Sequence, residues 1–153
     1  MTEIGQELVL RLSHRFTAPR ERVFEAWTSP EVLRRWWAPE PTWEVPVAEV
    51  DLEPGGGYRF SMRTDGGEIH TVHGEYREVR PPERLAFTWE WEEGPEQVVT
   101  GTENSLVVVD FLEDGDGTLV ELTQTGFVSG EAMGMHDHGW NAVLTRLEER
   151  VFS

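Results

Sequence analysis

The 153-residue chain carries 13 basic side chains, all arginine, against 29 Asp+Glu, for a net charge of -16, and it has no cysteine. The missing cysteine excludes disulfide frameworks, thiolate zinc sites and cysteine nucleophiles. The charge excludes a nucleic-acid groove, which needs a positive stripe, and makes an anionic membrane surface repulsive.

The length predicts one domain over residues 1–153, in which folding buries roughly 69% of the unfolded surface. The longest apolar run, Leu106–Val109, is too short for membrane insertion. Met1-Thr2-Glu3-Ile4 lacks a basic n-region, so no signal peptide is expected and the default location is cytoplasmic.

The first element is a half-buried strand, because Leu10, Leu12, His14 and Phe16 alternate with Arg11, Ser13 and Arg15. Pro19 then suits a first helical turn, and Val23, Phe24 and Trp27 follow at helical spacing, predicting a short helix over about residues 19–28. Ser29-Pro30-Glu31 repeats the start signal for a second short helix that reaches Trp36-Trp37 before Pro39 and Pro41 end it. Adjacent tryptophans on so short a helix are expected to diverge. One should pack inward, and the other should cover a cavity entrance or a partner surface.

From about Val47 to Thr125 the chain reads as an antiparallel meander with strands near 47–52, 57–63, 68–79, 84–91, 105–112 and 118–125. Gly- and Pro-rich turns separate them, and the acidic stretch Glu92–Glu103 is a longer connection. Leu85, Phe87, Trp89 and Trp91 share one face by period-two counting. Ser129-Gly130-Glu131 opens the last element, where Met133, Trp140, Val143, Leu144, Leu147 and Val151 mark one stripe of a helix over about 131–151. The order predicts an α+β helix-grip fold. A bent seven-stranded antiparallel sheet, with two short helices after its first strand, wraps a long C-terminal helix.

Chemistry-bearing residues are sparse. His136 and His138 lie about 200° apart on a helix. His70 and His73 point to opposite faces of a strand. No metal site or other cofactor is therefore expected. No Gly-x-Ser-x-Gly elbow supports a nucleophilic triad, and without lysine there is no P-loop. His136 falls near the buried stripe, between Met133 and Trp140. It reads either as a core histidine with backbone or carboxylate partners or as a polar group orienting a ligand headgroup. His73 carries the same two readings.

Ala18-Pro19-Arg20-Glu21-Arg22-Val23-Phe24-Glu25-Ala26-Trp27-Thr28 resembles the opening signature of one branch of the START/SRPBCC superfamily. That branch is named after the C-terminal domain of the activator of the 90-kDa heat-shock chaperone ATPase. Leu33-Arg34-Arg35-Trp36-Trp37-Ala38-Pro39, Pro81-Pro82-Glu83-Arg84-Leu85, and Gly139-Trp140 with Leu144 and Leu147 are similar to its later motifs, as are Pro54-Gly55-Gly56 and His136. The resemblance implies the helix-grip fold and a hydrophobic cavity between sheet and helix, and it implies no particular reaction.

The leading expectation is binding of a small hydrophobic molecule, with Trp36, Tyr58, Phe60, His73, Phe87, Trp89, Met133, His136 and Trp140 lining the cavity. A protein-interaction module resembling the chaperone-activator domain is the alternative. The chain has no counterpart of the separate N-terminal domain that the eukaryotic activator uses, so co-chaperone activity is not expected. An enzyme acting on a hydrophobic substrate in the same cavity is a third reading, and a homodimer is left open.

Overall fold

A computed structural model describes residues 8–92 and 101–152. The Met1–Ile4 segment and most of the Glu92–Glu103 connection lie outside the described residues. The elements are β1 (Leu10–Phe16), α1 (Arg20–Thr28), α2 (Pro30–Trp36), β2 (Glu44–Val50), β3 (Gly57–Arg63), β4 (Ile69–Arg80), β5 (Arg84–Trp91), β6 (Ser105–Asp114), β7 (Gly117–Gln124) and α3 (Gly130–Leu147), followed by a π-helical turn, Glu148–Phe152. The strands form one antiparallel sheet in the order β1-β7-β6-β5-β4-β3-β2. This is the predicted helix-grip architecture.

Period-two alternation builds the inner face. In β6, Val107, Val109 and Phe111 are fully buried while Val108 and Asp110 between them are half-buried. Leu122 and Val120 of β7 continue that floor, and Leu144 and Leu147 of α3 press onto it with no exposed surface. Pairing of the first strand with the last, from Leu10↔Gln124 to Phe16↔Thr118, leaves α1 and α2 to bridge from β1 to the opposite edge strand, β2. The short helices thus close one end of the grip, with α2 against both β2 and α3.

The long helix starts as expected. The Ser129 side chain accepts a hydrogen bond from the Ala132 N–H at 3.1 Å, satisfying one orphan donor of the first turn. It ends differently, because the regular α-helix stops at Leu147 and the last residues form the π-turn. Side chains anchor that turn from several sides. Glu148 Oε1 lies 2.7 Å from His14 Nε2 of β1, and the Arg150 guanidinium donates to the Pro41 carbonyl at 2.7 Å.

Trp36 and Trp37 are both buried, at 1% and 4% exposure, and their rings diverge. The pair sits between two apolar layers rather than on one. Trp36 donates its indole N–H to the Ala26 carbonyl at 3.0 Å and packs edge-on against Trp27, 5.2 Å between ring centroids. Trp37, at the C-cap of α2, turns the other way and meets Phe60 at 5.0 Å and Trp140 at 5.7 Å.

Candidate binding cleft

Between the inner face of β3–β5 and the N-terminal half of α3 lies a cleft of about 490 Å³. Strand periodicity supplies its sheet wall: Met62 of β3, His70 of β4, and Trp89 and Trp91 of β5. Trp37, Pro39, Glu40 and Trp43 of the α2–β2 connection form a second wall. The third is α3, through Glu131, Gly134, Met135, His136, His138, Gly139, Trp140 and Val143. Five of the seven tryptophans therefore converge here, and no arginine does.

Two buried polar linkages fix the tryptophan rings. The Trp140 indole donates to Gln124 Oε1 at 2.8 Å. Gln124 Nε2 in turn donates to Ser105 Oγ at 3.0 Å, and Ser105 Oγ donates to the Thr125 carbonyl. The second linkage centres on His136, whose Nε2 lies 3.0 Å from Trp91 Nε1 and 3.3 Å from Trp89 Nε1. Its Nδ1 is 2.8 Å from the Ala132 carbonyl. An indole nitrogen only donates and a carbonyl only accepts. The ring must therefore carry its proton on Nδ1 and offer a lone pair at Nε2, which is the neutral form.

Burial, the dominant cause, lowers the His136 pKa below its ordinary value, and the bond to Ala132 only partly opposes it. A second proton would face two indole N–H groups. A histidine pKa depressed in the folded state means that only the unfolded chain gains this proton as pH first falls below about 6.5. Stability from His136 is thus complete above that value and declines as pH falls toward the lower, folded-state pKa. Urea unfolding at pH 7.5 and pH 5 should show a loss at the lower pH that shrinks in His136→Gln; an equal loss in both proteins would refute the assignment.

Three of the nine predicted lining residues, Trp89, His136 and Trp140, meet at the cleft. The other six do not. Trp36 belongs to the α1–α2 layer described above. Tyr58, Phe60 and Phe87 face inward but are filled core. With Trp27, Trp37, Tyr76 and Leu85 they surround a space of about 10 Å³, barely one water's worth. Their rings lie 4.9 to 5.3 Å apart, the Tyr58 hydroxyl donates to the Thr88 carbonyl, and burial pushes its pKa well up.

His73 points to the outer face, where Nδ1 lies 3.2 Å from Glu92 Oε2 and Nε2 lies 3.6 Å from Glu90 Oε1. Arg59, 2.8 Å from Glu92, is the main cause of that carboxyl's lowered pKa. Met133 packs half-buried against the core beside the cleft rather than in it.

Sequence reasoning passed over Met62, His70 and Trp91, although each lies in period-two register with a residue it had placed on the inner face or with a buried neighbour. His70 is the sharpest omission. It is 3% exposed, its Nδ1 is buried without a partner, and it makes no side-chain hydrogen bond. Among the described residues no group of three or more His, Asp or Glu side chains comes together as a metal site, and no helix is long and apolar enough to cross a membrane.

A curled antiparallel sheet gripping a C-terminal helix, with an aromatic cleft between them, defines a helix-grip protein of the START/SRPBCC type. The sequence matches the family described as activator of Hsp90 ATPase homolog 1-like protein over residues 17–151, and the chain belongs to that family. Solved structures agree. A protein from Chromobacterium violaceum is 25% identical, with 92% of this chain and 94% of that one covered and a TM-score of 0.80. A protein from Rhizobium leguminosarum is 29% identical, covering 94% and 93%, with a TM-score of 0.78. CalU16 from Micromonospora echinospora is 27% identical over 95% of this chain and 77% of its own, with a TM-score of 0.66. A search among curated proteins found no significant match.

Proposed function

We propose that the chain binds a small apolar molecule in the cleft between β3–β5 and α3. The observation that carries this reading is the pair of helix glycines on the cleft wall. Gly134 and Gly139 lie in the interior of α3, and a Cβ built on either meets nothing within 4 Å. Glycine inside a helix costs about 1 kcal/mol relative to alanine. Neither glycine relieves a close approach to another backbone, so what both preserve is open volume. A cleft of about 490 Å³ falls within the range of small-molecule sites.

Burying about 300 Å² of apolar ligand surface at roughly 25 cal/mol per Å² gives a gross 7–8 kcal/mol. Rigid-body and ordering costs offset much of it, leaving an affinity of micromolar order.

The glycines give a test that separates folding from binding. Gly134→Ala and Gly139→Ala should each stabilise the protein by about 1 kcal/mol in urea unfolding, through helix propensity alone. Gly139→Leu should keep the fold and fill the cleft. An apolar fluorescent probe such as anilinonaphthalene sulfonamide should then bind the parent protein saturably at one site and lose about tenfold or more in affinity to Gly139→Leu. Equal binding by the filled variant would place the probe elsewhere and refute the reading.

A further inference from the structure

We propose that the preferred occupant of this cleft is an apolar cation, a molecule with an aromatic or aliphatic body and one ammonium group. The proposal rests on the cleft-binding reading above and adds to it the sign of the ligand's charge.

The first support is how the indoles are held. Trp89 and Trp91 direct their N–H edges to His136, and Trp140 directs its own to Gln124. Those electropositive edges are occupied inside the protein, so an anion in the cleft gains no hydrogen bond from them. Of the five lining indoles, those of Trp37 and Trp43 keep an N–H without a partner among the described residues, that of Trp37 buried. What Trp89, Trp91 and Trp140 can offer an occupant is their π faces, whose quadrupole attracts cations, and tryptophan does so best of all side chains.

The second support is charge. The carboxylates on the lining are those of Glu40 and Glu131, both exposed and therefore at the mouth, and neither pairs with an arginine. The chain has 13 arginines, yet none reaches this lining. Arg146, which donates to the carbonyl of the wall residue Pro39, is paired with Glu149. A carboxylate or phosphate entering the cleft would therefore lose hydration with no unpaired arginine to replace it. An ammonium would meet two carboxylates and the aromatic walls, in the attractive field of a chain of net charge -16.

His70 completes the site. Buried and with no side-chain hydrogen bond among the described residues, it is a polar group in the sheet wall still able to bond to the ligand's body.

Isosteres that differ only in charge provide the test, read by isothermal titration calorimetry at pH 8 and low salt. The probes are naphthylmethyl-trimethylammonium, its uncharged tert-butyl analogue, and naphthylacetate. The ammonium should bind about tenfold tighter than the tert-butyl analogue, and naphthylacetate should bind more weakly than both. Glu40→Gln and Glu131→Gln, both at exposed positions, should each weaken the ammonium about threefold and leave the tert-butyl analogue unchanged. Added salt should weaken the ammonium alone.

If the tert-butyl analogue or naphthylacetate matches the ammonium, and Gly139→Leu abolishes both, the charge preference is overturned while cleft binding stands. If no probe binds, or Gly139→Leu binds all of them unchanged, cleft binding fails and the charge preference falls with it.

Discussion

Leu144→Ala is expected to destabilise the protein by about 2–5 kcal/mol, measured by urea unfolding at neutral pH. Leu144 has no exposed surface and belongs with Leu147 to the buried cluster that also holds Val107, Val109 and Phe111 of the inner sheet floor. Truncation removes the transfer free energy of the lost atoms and leaves a cavity. Neighbours held by a seven-stranded hydrogen-bonded sheet collapse into it poorly. Leu144 does not line the cleft, so ligand affinity in the still-folded variant should change little. A loss below about 0.5 kcal/mol, the range of surface substitutions, would place this helix face in solvent and contradict the grip.

The elements were legible because their signals are local and repeat. Alternation along β1 and β5, the Ser-Pro-Glu start of α2 and the 3.6-residue stripe of α3 each need only a window of sequence. The cleft was less legible, because facing inward and lining a space are different properties. Phe60 and Met62 share a face of β3, yet Phe60 is locked among Trp37 and Tyr58 while Met62 borders open volume. The difference comes from ring sizes on three separate elements, and no window contains them all.

Trp36 and Trp37 were legible as a diverging pair, because adjacent residues on a helix point about 100° apart. Which of them lines the cleft depends on Phe60 and Trp140, which lie on other elements and meet Trp37. His73 failed for another reason. A histidine among strand residues can pair with acids on the outer face, and it does so with Glu90 and Glu92. The signal that could have found the cleft was overlooked. Gly134 and Gly139 are poor helix formers inside a strongly patterned helix, and such a local conflict marks a place where something other than helix stability is served.

Trp140→Ala should lower stability by about 3–5 kcal/mol, the range for removing a buried aromatic ring, and it should also abolish ligand binding. Its ring lies 5.0 Å from Trp89, 5.7 Å from Trp37 and 5.9 Å from Trp27, so one side chain joins the sheet, α2 and α1 to α3. Because so large a loss could unfold the protein, the decisive variant is milder. Trp140→Phe keeps an aromatic ring but loses the N–H that satisfies Gln124 Oε1, in a residue with no exposed surface. A buried acceptor left unpaired costs about 1–3 kcal/mol, whereas replacing both partners by apolar groups of similar shape is far less damaging. Gln124→Met in the Trp140→Phe background should therefore recover part of the loss, aided by Ser105 keeping its own bond to the Thr125 carbonyl. The double-mutant cycle should give a coupling of about 1–2 kcal/mol between the two positions. Additivity within about 0.5 kcal/mol would mean that the hydrogen bond contributes nothing to holding the ring. Orientation of this cleft wall would then have to come from ring packing alone, and Trp140→Phe would be expected to bind the same ligands as the parent.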